Sequence, residues 1–595
     1  MKCKKNAGSG SLLIILTTAI IVSSINSTAE SRSYTYAVVC SEAAYSDNGW
    51  KMVADLLIKK HSEKGESRLF RWKSQVEEVK TALGEFNPDY VAFVAKPAIE
   101  CNTSFVVEVH RLCRTLDSDP YGDAIWGIVT GYKAEDALRA VSETLPIKTV
   151  LAASGNLSYE PPIERFYQGI GMTCDSYTKT DYLFYGNRGS VYTENKRPDN
   201  EQDRIKIVSK WLNSESLNIS IQGKGTISGA VDCIITGGHG NVNLWQSHYP
   251  EAGSEGYLQS SGGKLYGTPY SGSAIEINAK TPKVYWCASN CLMGNPDSKD
   301  NFVYGAFGSG HAVQMFGFII NASAGDEFMA WGVYDRVTKR AGTLTLPQGY
   351  FLSNNNALFE IRNPGNLINT RLVQPFMDST VFYGDPAADV RFHSFGDSAH
   401  AFKTDIAMST ISDGLTEFTY TYTMLAHDLE YGEGYCYQFR PASMLPVRID
   451  PSTVVIVKNE GHKCEITDNL VIWEILSKGE KLNKGLSKTL TWRAKITDMK
   501  TSAGKCVQVT KMSTAKEEIR HIKNGTTSSI LLSGLSDNTY SLSVIDLTGK
   551  VCFLTTLSPS VNRTALVSIE KTLPAGIYCA KVKGTSGNSS RLFMQ

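Results

Sequence analysis

The sequence has little that would direct it to nucleic acid or to a bilayer interior. Its 595 residues include 60 Lys and Arg against 59 Asp and Glu, which gives a formal net charge of +1. Such a balance gives no reason to expect nucleic acid or an anionic membrane surface as a partner. After the N-terminal segment, no apolar run approaches the roughly 20 residues that a membrane helix needs. We therefore expect no nucleic-acid partner and no transmembrane segment in the mature chain.

Metal-binding patterns are also scarce. The chain has 13 cysteines, but Cys287 and Cys291 are followed by neither a second pair nor a His-x-His, so the spacing of a zinc site is missing. The spacing of an EF-hand is missing as well, although a structural calcium ion at an acidic loop such as residues 297–300 stays open. We expect no cofactor.

What the chain does have begins with an export signal. Lys2, Lys4 and Lys5 precede an apolar run at residues 12–22 (LLIILTTAIIV), and small residues follow up to Ala29. This order is typical of a secretory signal peptide, which we predict for residues 1–29. The alternative is a signal anchor that is not removed. The mature protein is expected to be secreted or at the cell surface, after export through the periplasm.

The remaining length suggests several domains. Residues 30–148 and 149–390 alternate strands and helices, which predicts two α/β subdomains with mainly parallel sheets. Within the second, residues 253–272 are rich in Gly, Ser and Tyr, and we expect a long surface loop that forms a wall or lid. Alternating runs in residues 391–513 predict an all-β, sandwich-like (Ig-like) module. Residues 528–595 predict another small β-domain.

The first candidate site lies at residues 232–241 (DCIITGGHGN), where an apolar strand ends just before His239. Loops at the carboxyl ends of parallel strands converge on a crevice. A histidine there is suited to acid–base catalysis, and glycine at position 240 lets its N–H approach a ligand closely. Taken alone, His239 is more simply explained as a turn histidine that caps the strand.

The second candidate site lies at residues 283–294 (KVYWCASNCLMG), where another apolar strand precedes Cys291. A thiol in this place could attack an amide carbonyl, and the N–H groups of Cys291 and Gly240 could hold the resulting oxyanion. A buried structural cysteine or a Cys287–Cys291 disulfide would also explain the pattern. Cys287 is the rival nucleophile. We prefer Cys291, because Gly294 follows it and Trp286 makes Cys287 part of the strand.

Together, the two sites resemble the caspase-like peptidases, and within them the gingipain family. In that layout one apolar strand leads to His-Gly and a later one to the nucleophilic cysteine. Further segments resemble gingipains in the same order, namely residues 123–137 (DAIWGIVTGYKAEDA), 305–310 (GAFGSG) and 381–386 (VFYGDP). The resemblance covers about residues 34–390. It implies a caspase-like α/β fold and a cysteine peptidase that acts on proteins or peptides.

Two positions depart from the gingipain pattern. Where the family carries an acidic residue near the end of its first subdomain, this sequence has Tyr132, with Glu135 and Asp136 just beyond. Ile128 stands where an arginine is usual. The resemblance therefore assigns neither a third catalytic residue nor a primary specificity.

The C-terminal region resembles the sorting domain of type IX secretion. The matching segments are residues 540–550 (YSLSVIDLTGK) and 573–582 (LPAGIYCAKV). The resemblance implies the type IX secretion machinery as a partner and a tail that is cleaved on export.

The function predicted from these patterns is a secreted cysteine endopeptidase that works through a His239–Cys291 dyad and a thioester acyl-enzyme. Two alternatives stay open. One is a catalytically inactive, gingipain-like binding or adhesion protein at the cell surface. The other is a processing peptidase or sortase that acts on exported proteins.

Overall fold

The structure is a computed structural model. Side chains are described mainly over residues 34–143, 203–219, 228–246, 256–287, 290–322, 344–363, 377–391, 401–411, 414–431, 440–459 and 462–497, and the backbone also in strands between and after these blocks. The predicted signal peptide lies outside the described residues. The chain divides into two compact units, residues 1–502 and residues 503–595.

The first unit is built on a mixed sheet of twelve strands. Eight adjacent strands have described side chains, in the spatial order Ser67–Trp72, Tyr36–Ser41, Tyr90–Val94, Ile125–Val129, Thr380–Gly384, Ala312–Phe318, Lys283–Cys287 and Cys233–Thr236. Four more continue the sheet beyond the last of these, namely Leu151–Ser154, Gln168–Cys174, Asp181–Asn187 and Ser190–Glu194. Within the first eight, only Ala312–Phe318 and Thr380–Gly384 pair antiparallel.

Helices account for the rest of the α/β part. The described α-helices are Glu42–Ser46, Asn48–Ser62, Lys80–Phe86, Thr103–Leu112, Ala134–Ser142, Arg204–Asn213, Phe302–Phe307 and Leu346–Arg362, with a 3-10 turn at Val76–Val79. None of these described helices combines the length and the apolar character that crossing a membrane requires.

The strand Tyr36–Ser41 shows how this sheet is buried. All six of its residues are buried. Val38 packs in one apolar cluster together with Trp50 of a covering helix, whereas Val39 packs in a second cluster together with Phe105. Burial on both faces explains why the strand is a continuous apolar run rather than an alternating one.

The spacing of Met52, Val53, Leu56 and Leu57 predicts a helix over residues 50–61 with these four side chains on one face, and the helix is observed as Asn48–Ser62. Val53 and Leu57 are buried as expected, but Met52, which was placed on the same face, is 57% exposed. At 100° per residue Met52 lies roughly opposite Trp50, which is buried at the centre of the core-facing stripe. The prediction for Met52 was wrong because the buried stripe is narrower than the run of apolar residues.

The two predicted α/β regions share one sheet instead of forming two. Thr380–Gly384, from the end of the second region, pairs in parallel with Ile125–Val129 of the first through Tyr383 and Ile128. Glycine at position 127 permits this approach, since a Cβ there would lie 2.5 Å from the carbonyl oxygen of Gly384. The chain is therefore mixed α/β with β-rich parts.

The region after residue 391 forms small sheets that are antiparallel, apart from a parallel pair between Phe402–Thr410 and the earlier strand Arg340–Ala341. Its largest sheet contains Arg340–Ala341, Phe402–Thr410, Thr416–Met424, Ser487–Ile496 and Ile449–Lys458, in that order. Smaller sheets contain Ala442–Met444, Leu470–Trp473 and Cys464–Ile466, and Leu429–Glu430 with Lys481–Leu482. Buried and half-buried residues alternate along Thr416–Met424, as the sequence pattern predicts, and Phe418 stacks on Trp492 with ring centroids 5.2 Å apart.

The described strands of the second unit form two antiparallel sheets. One contains Glu518–Asn524, Thr527–Ser533 and Thr564–Ile569, and the other contains Val551–Leu557, Tyr540–Asp546, Ile577–Lys583 and Asn588–Met594. Most of the motif at residues 540–550 lies in one strand of the second sheet. Residues 547–550, at the turn of that motif, lie outside the described residues.

Candidate active site

The strands that lead to the two candidate residues are neighbours. Cys233–Thr236 and Lys283–Cys287 pair in parallel, with Thr236 opposite Cys287 at their carboxyl ends. Because parallel neighbours end at the same edge, the loops that carry His239 and Cys291 leave the sheet together.

The loop after the first strand turns sharply. Gly238 has φ +89°, a left-handed conformation that glycine adopts without strain. His239 then begins the short strand His239–Asn241, and its side chain is exposed. The indole N–H of Trp245 donates to the carbonyl oxygen of Gly237 at 2.6 Å, which ties the turn to the next strand.

That short strand opens a second sheet. The sheet has five strands in the order His239–Asn241, Leu244–Gln246, Tyr257–Ser261, Lys264–Thr268 and Ile275–Glu276. The expected wall or lid at residues 253–272 is therefore largely a β-hairpin, with residues 253–255 outside the described residues. Gly262 and Gly263, at φ +57° and +73°, form its two-residue turn, and Leu258 and Leu265 are buried. The Gly-Gly pair between alternating runs is a hairpin signal that sequence reasoning missed.

Cys291 starts a tight turn after the second strand and is partly buried. The next residue, Leu292, has φ +59°, which is unusual for a side chain with a Cβ. Backbone hydrogen bonds hold it there, from Leu292 N to Ile320 O at 2.9 Å and from Gly294 N to Phe318 O at 2.8 Å. The Cys291 Sγ lies 3.6 Å from the carbonyl oxygen of Ala322 and donates to it. Strain of this kind concentrates at functional positions.

The His-Gly loop and the cysteine turn are in direct contact. A Cβ on Gly240 would lie 2.6 Å from the carbonyl oxygen of Cys291 and 2.9 Å from Cβ of Asn290. No side chain larger than hydrogen fits at position 240 without displacing the cysteine backbone. This contact explains why glycine follows His239.

Asn290 adds hydrogen bonds to this contact. Its Nδ2 donates to the carbonyl oxygens of Gly238 at 3.0 Å and His239 at 3.3 Å. Its Oδ1 accepts from the hydroxyl of Thr236 at 2.5 Å. Sequence reasoning treated Asn290 only as a small polar residue before the cysteine, and no local pattern distinguishes it from an ordinary loop asparagine.

The rival nucleophile is in a different environment. Cys287 is fully buried, and burial raises the pKa of its thiol to about 12, opposed in part by a hydrogen bond with Thr236. A thiol with so high a pKa is almost never a thiolate near neutral pH. Cys287 and Cys291 are both free thiols, so the disulfide between them that the sequence left open is not formed.

The residues that depart from the gingipain pattern make contacts with other parts of the structure. Tyr132 packs on the hairpin turn, where a Cβ on Gly263 would lie 2.4 Å from its ring. Asp136 accepts from the backbone N–H of Lys133 at 3.2 Å at the start of a helix. Ile128 is buried in the central sheet. The described contacts of these residues do not join them to Cys291.

The carboxylates of the acidic loop considered for calcium accept hydrogen bonds from other residues of the chain. Asp297 accepts from the N–H and hydroxyl of Thr103 at 2.8 and 3.0 Å, and Asp300 accepts from Gly262 N at 2.6 Å. A different group, Asp117, Asp119 and Asp123, has carboxylate oxygens within 4.8 Å of one another. Each of its carboxylates accepts a backbone N–H of the same loop. Calcium binding stays an expectation without a located site.

A cavity of about 540 Å³ lies away from the dyad. Its lining includes Tyr90, Asp123, Arg391 and Arg448 but neither His239 nor Cys291. Both signs of charge line it, and Arg448 is paired with Asp468 there. The assignment of the dyad therefore depends on the contacts between the His239 and Cys291 loops, and not on this cavity.

Comparisons with known proteins identify no family. No known family matches the sequence, and no curated protein matches it. Among solved structures, a Ruminococcus gnavus β-glucuronidase is 9% identical, covers 30% of this chain and 34% of its own, and has a TM-score of 0.12. The b-glucuronidase from Ruminococcus gnavus in complex with uronic deoxynojirimycin is 11% identical, covers 30% of this chain and 36% of its own, and has a TM-score of 0.13. This chain spans about a third of the length of each. Likeness at this level carries no argument about fold or function.

Proposed function

We propose that this chain is an exported cysteine endopeptidase with a caspase-like, gingipain-like catalytic region. Cys291 is the nucleophile and His239 the general acid and base. The observation that carries the proposal is the contact of Gly240 with the Cys291 backbone. This contact supports the proposal because the loops that carry His239 and Cys291 meet, although the two residues are 52 positions apart in the sequence.

The chemistry follows from the two side chains. His239 takes the thiol proton, and the sulfur attacks the carbonyl carbon of the scissile peptide bond. The C–N bond breaks, the amine leaves with that proton, and an acyl thioester remains on Cys291. Water then gives a proton to His239 and attacks the thioester, which releases the carboxylic acid and returns the proton to the sulfur.

The backbone at Gly240 is suited to stabilise the oxyanion. Gly240 pairs with Trp245 between the pairs His239–Gln246 and Asn241–Leu244. Pairs along an antiparallel ladder alternate, and the pair that closes a two-residue turn exchanges hydrogen bonds. We therefore expect the N–H of Gly240 to point away from Trp245. An N–H in this place can hold a developing negative charge.

The thiol contact with Ala322 bears on activity. A thiol that donates to this carbonyl at 3.6 Å must rotate before its proton can pass to His239. The departures from the gingipain pattern at Ile128 and Tyr132 favour a second candidate function, in which the chain keeps the peptidase shape but binds proteins at the cell surface without cleaving them.

Export is supported by sequence patterns alone. The signal-like N-terminus and the tail that resembles a type IX sorting domain indicate passage through the periplasm. In a peptidase that travels this way, substrates are proteins or peptides outside the cytoplasm, or other exported proteins that need processing.

Selective alkylation tests the nucleophile. The full chain is treated with iodoacetamide near neutral pH, and fragment masses of the peptide with residues 284–299 separate Cys287 from Cys291. We expect rapid labelling at Cys291. The Cys287→Ala variant, which lacks the buried thiol, should keep that labelling and serves as the matched control. If the wild-type chain is labelled at Cys287 instead, the assignment is wrong.

Hydrolysis of a mixed peptide library tests the activity. Cleavage by the wild-type chain that disappears in Cys291→Ala supports the peptidase. Rapid labelling of Cys291 without cleavage of free peptides or of sorting-tail substrates favours the binding protein. Cleavage confined to sorting-tail substrates identifies a processing peptidase.

A further inference from the structure

The buried side-chain amide of Asn290 is hydrogen-bonded to the segment that carries His239. The side chain is fully buried. An asparagine has two N–H donors and one carbonyl acceptor, and all three groups are used by bonds to Gly238, His239 and Thr236. These partners lie within one four-residue segment, from the end of the strand to the candidate general base.

A buried polar side chain needs hydrogen-bond partners, but it does not need partners that all lie in one segment. Any nearby donors and acceptors would serve that purpose. Asn295, in the same turn, shows the ordinary case, because it donates to Ile319 O at 3.1 Å and accepts from Asp297 N at 2.9 Å. Asn290 instead joins the residue immediately before Cys291 to the loop of His239.

We propose that Asn290 is a positioning residue for the dyad. Its bonds to the two carbonyl oxygens set the orientation of the Gly238–His239 and His239–Gly240 peptide groups. They thereby set the imidazole and the Gly240 N–H relative to the thiol of Cys291. This inference rests on the proposed function of the dyad.

The orientation of the amide makes the residue type specific. Nδ2 faces two carbonyl oxygens, so an aspartate at position 290 would place an acceptor against two acceptors. Alanine would leave both carbonyl oxygens without this donor. In either variant the loop is free to shift, and a displacement of about 1 Å between reacting groups can reduce a rate roughly 100-fold.

The test measures the rate at which iodoacetamide alkylates Cys291 in the full chain as a function of pH. In the wild type we expect fast alkylation that extends below the pH at which an ordinary thiol ionises, because His239 assists the thiolate. Asn290→Ala and Asn290→Asp should slow this reaction roughly 10- to 100-fold near neutral pH. Their pH profiles should move to that of an ordinary thiol, as in His239→Ala.

Three variants separate positioning from packing. Asn295→Ala removes a buried asparagine of the same turn and should keep the wild-type profile. Thr236→Val removes one of the three hydrogen bonds, and its pH profile of alkylation should shift in the same direction as that of the Asn290 variants but by less. Thr236→Ser keeps the hydroxyl and should have the wild-type profile. Thr236→Val also tests the inference if the Asn290 variants do not fold.

The outcomes are distinguishable. If His239→Ala has the wild-type profile, the dyad itself is wrong and the role of Asn290 falls with it. If His239→Ala is slow but the folded Asn290 and Thr236→Val variants react like the wild type, only the positioning role is overturned. Equal slowing in Asn295→Ala would also overturn it, since the effect would then come from packing of the turn.

Discussion

Nε2 of His61 lies 2.9 Å from Oδ2 of Asp385, and both side chains are buried. The hydroxyl of Tyr36 donates to the other carboxylate oxygen at 2.9 Å, and Nζ of Lys60 donates to Oδ2 at 3.2 Å. Burial raises the pKa of Asp385, but His61 and Lys60 outweigh it and hold that pKa well below its usual range. Asp385 belongs to the Gly-Asp-Pro segment at residues 384–386, so this cluster ties the segment to the first α/β region.

Replacing Asp385 should destabilise the first unit. Asp385→Asn removes the buried carboxylate that pairs with Lys60 and contacts His61, and breaking a buried ion pair typically costs about 3–5 kcal/mol. We expect a lower urea midpoint, followed by tryptophan fluorescence. The control is Asp55→Asn, which breaks an exposed pair with Lys51 and should change the midpoint little. Equal midpoints for Asp385→Asn and the wild type would contradict this account.

Asp123 should make stability fall as the pH rises. Its side chain is 4% exposed, and burial, with repulsion from Asp117, raises its pKa to about 8. An unfolded aspartate ionises near pH 3.9. The folded state therefore favours the protonated acid, and this stabilisation is present below about pH 4 and lost as the pH rises towards about 8.

Asp123→Asn removes that titration and keeps an oxygen that can accept from Leu116 N. We expect the variant to melt at a higher temperature than the wild type at pH 8 and to have no advantage at pH 4. Melting curves across this range check the prediction, with the exposed Asp300→Asn as control. A melting temperature of Asp123→Asn that exceeds the wild-type value by more at low pH than at high pH would contradict the prediction.

Gly240→Ala should abolish most of the proposed activity. The added Cβ would lie 2.6 Å from the Cys291 carbonyl oxygen, so the two loops must separate. Loss of one oxyanion donor costs roughly 100- to 1000-fold in turnover. Gly263→Ala is the control, because its Cβ would lie 2.4 Å from Tyr132 at the hairpin turn. Turnover measured per folded molecule should fall only in Gly240→Ala, and a similar loss in both would show a general effect of overpacking.

Tyr257 should contribute to substrate binding. It pairs with Gln246, which pairs with His239. Residues opposite one another point to the same face, so the exposed ring of Tyr257 lies two strand spacings, about 10 Å, from the imidazole position. Tyr257→Ala should raise KM about 3- to 10-fold with little change in kcat.

The control for this prediction is Tyr270→Ala, because Tyr270 is 68% exposed and lies outside the five-stranded sheet. Kinetics on one peptide from the library compare the two variants. An unchanged KM in Tyr257→Ala, or the same rise of KM in both variants, would show that the face of the sheet with Tyr257 does not contribute to substrate binding.

Local patterns predicted much of what surrounds the candidate site. Apolar runs predict strands at residues 90–94 and 125–129, and the structure has both with these bounds. The runs at residues 231–236 and 283–286 predict the two strands that lead to the dyad, each within two residues of the observed ends. The hairpin with Gly262 and Gly263 was predictable from its turn residues but was missed. The membership of Thr380–Gly384 in the same sheet as Ile125–Val129 was not predictable, because its partners are distant in the sequence.

The sequence alone determined that one apolar strand leads to Gly-Gly-His-Gly and that another leads to Asn-Cys. Apolar runs and turn glycines determine the structure of the few residues around them, so these features do not depend on distant segments. The sequence also determined which residue types could carry the chemistry. Tertiary structure alone decided that these strands lie side by side, that Cys287 is buried while Cys291 is partly open, and that Asn290 faces the carbonyl oxygens of the histidine loop. Those facts depend on packing between segments about 50 residues apart, for which no single segment holds a signal.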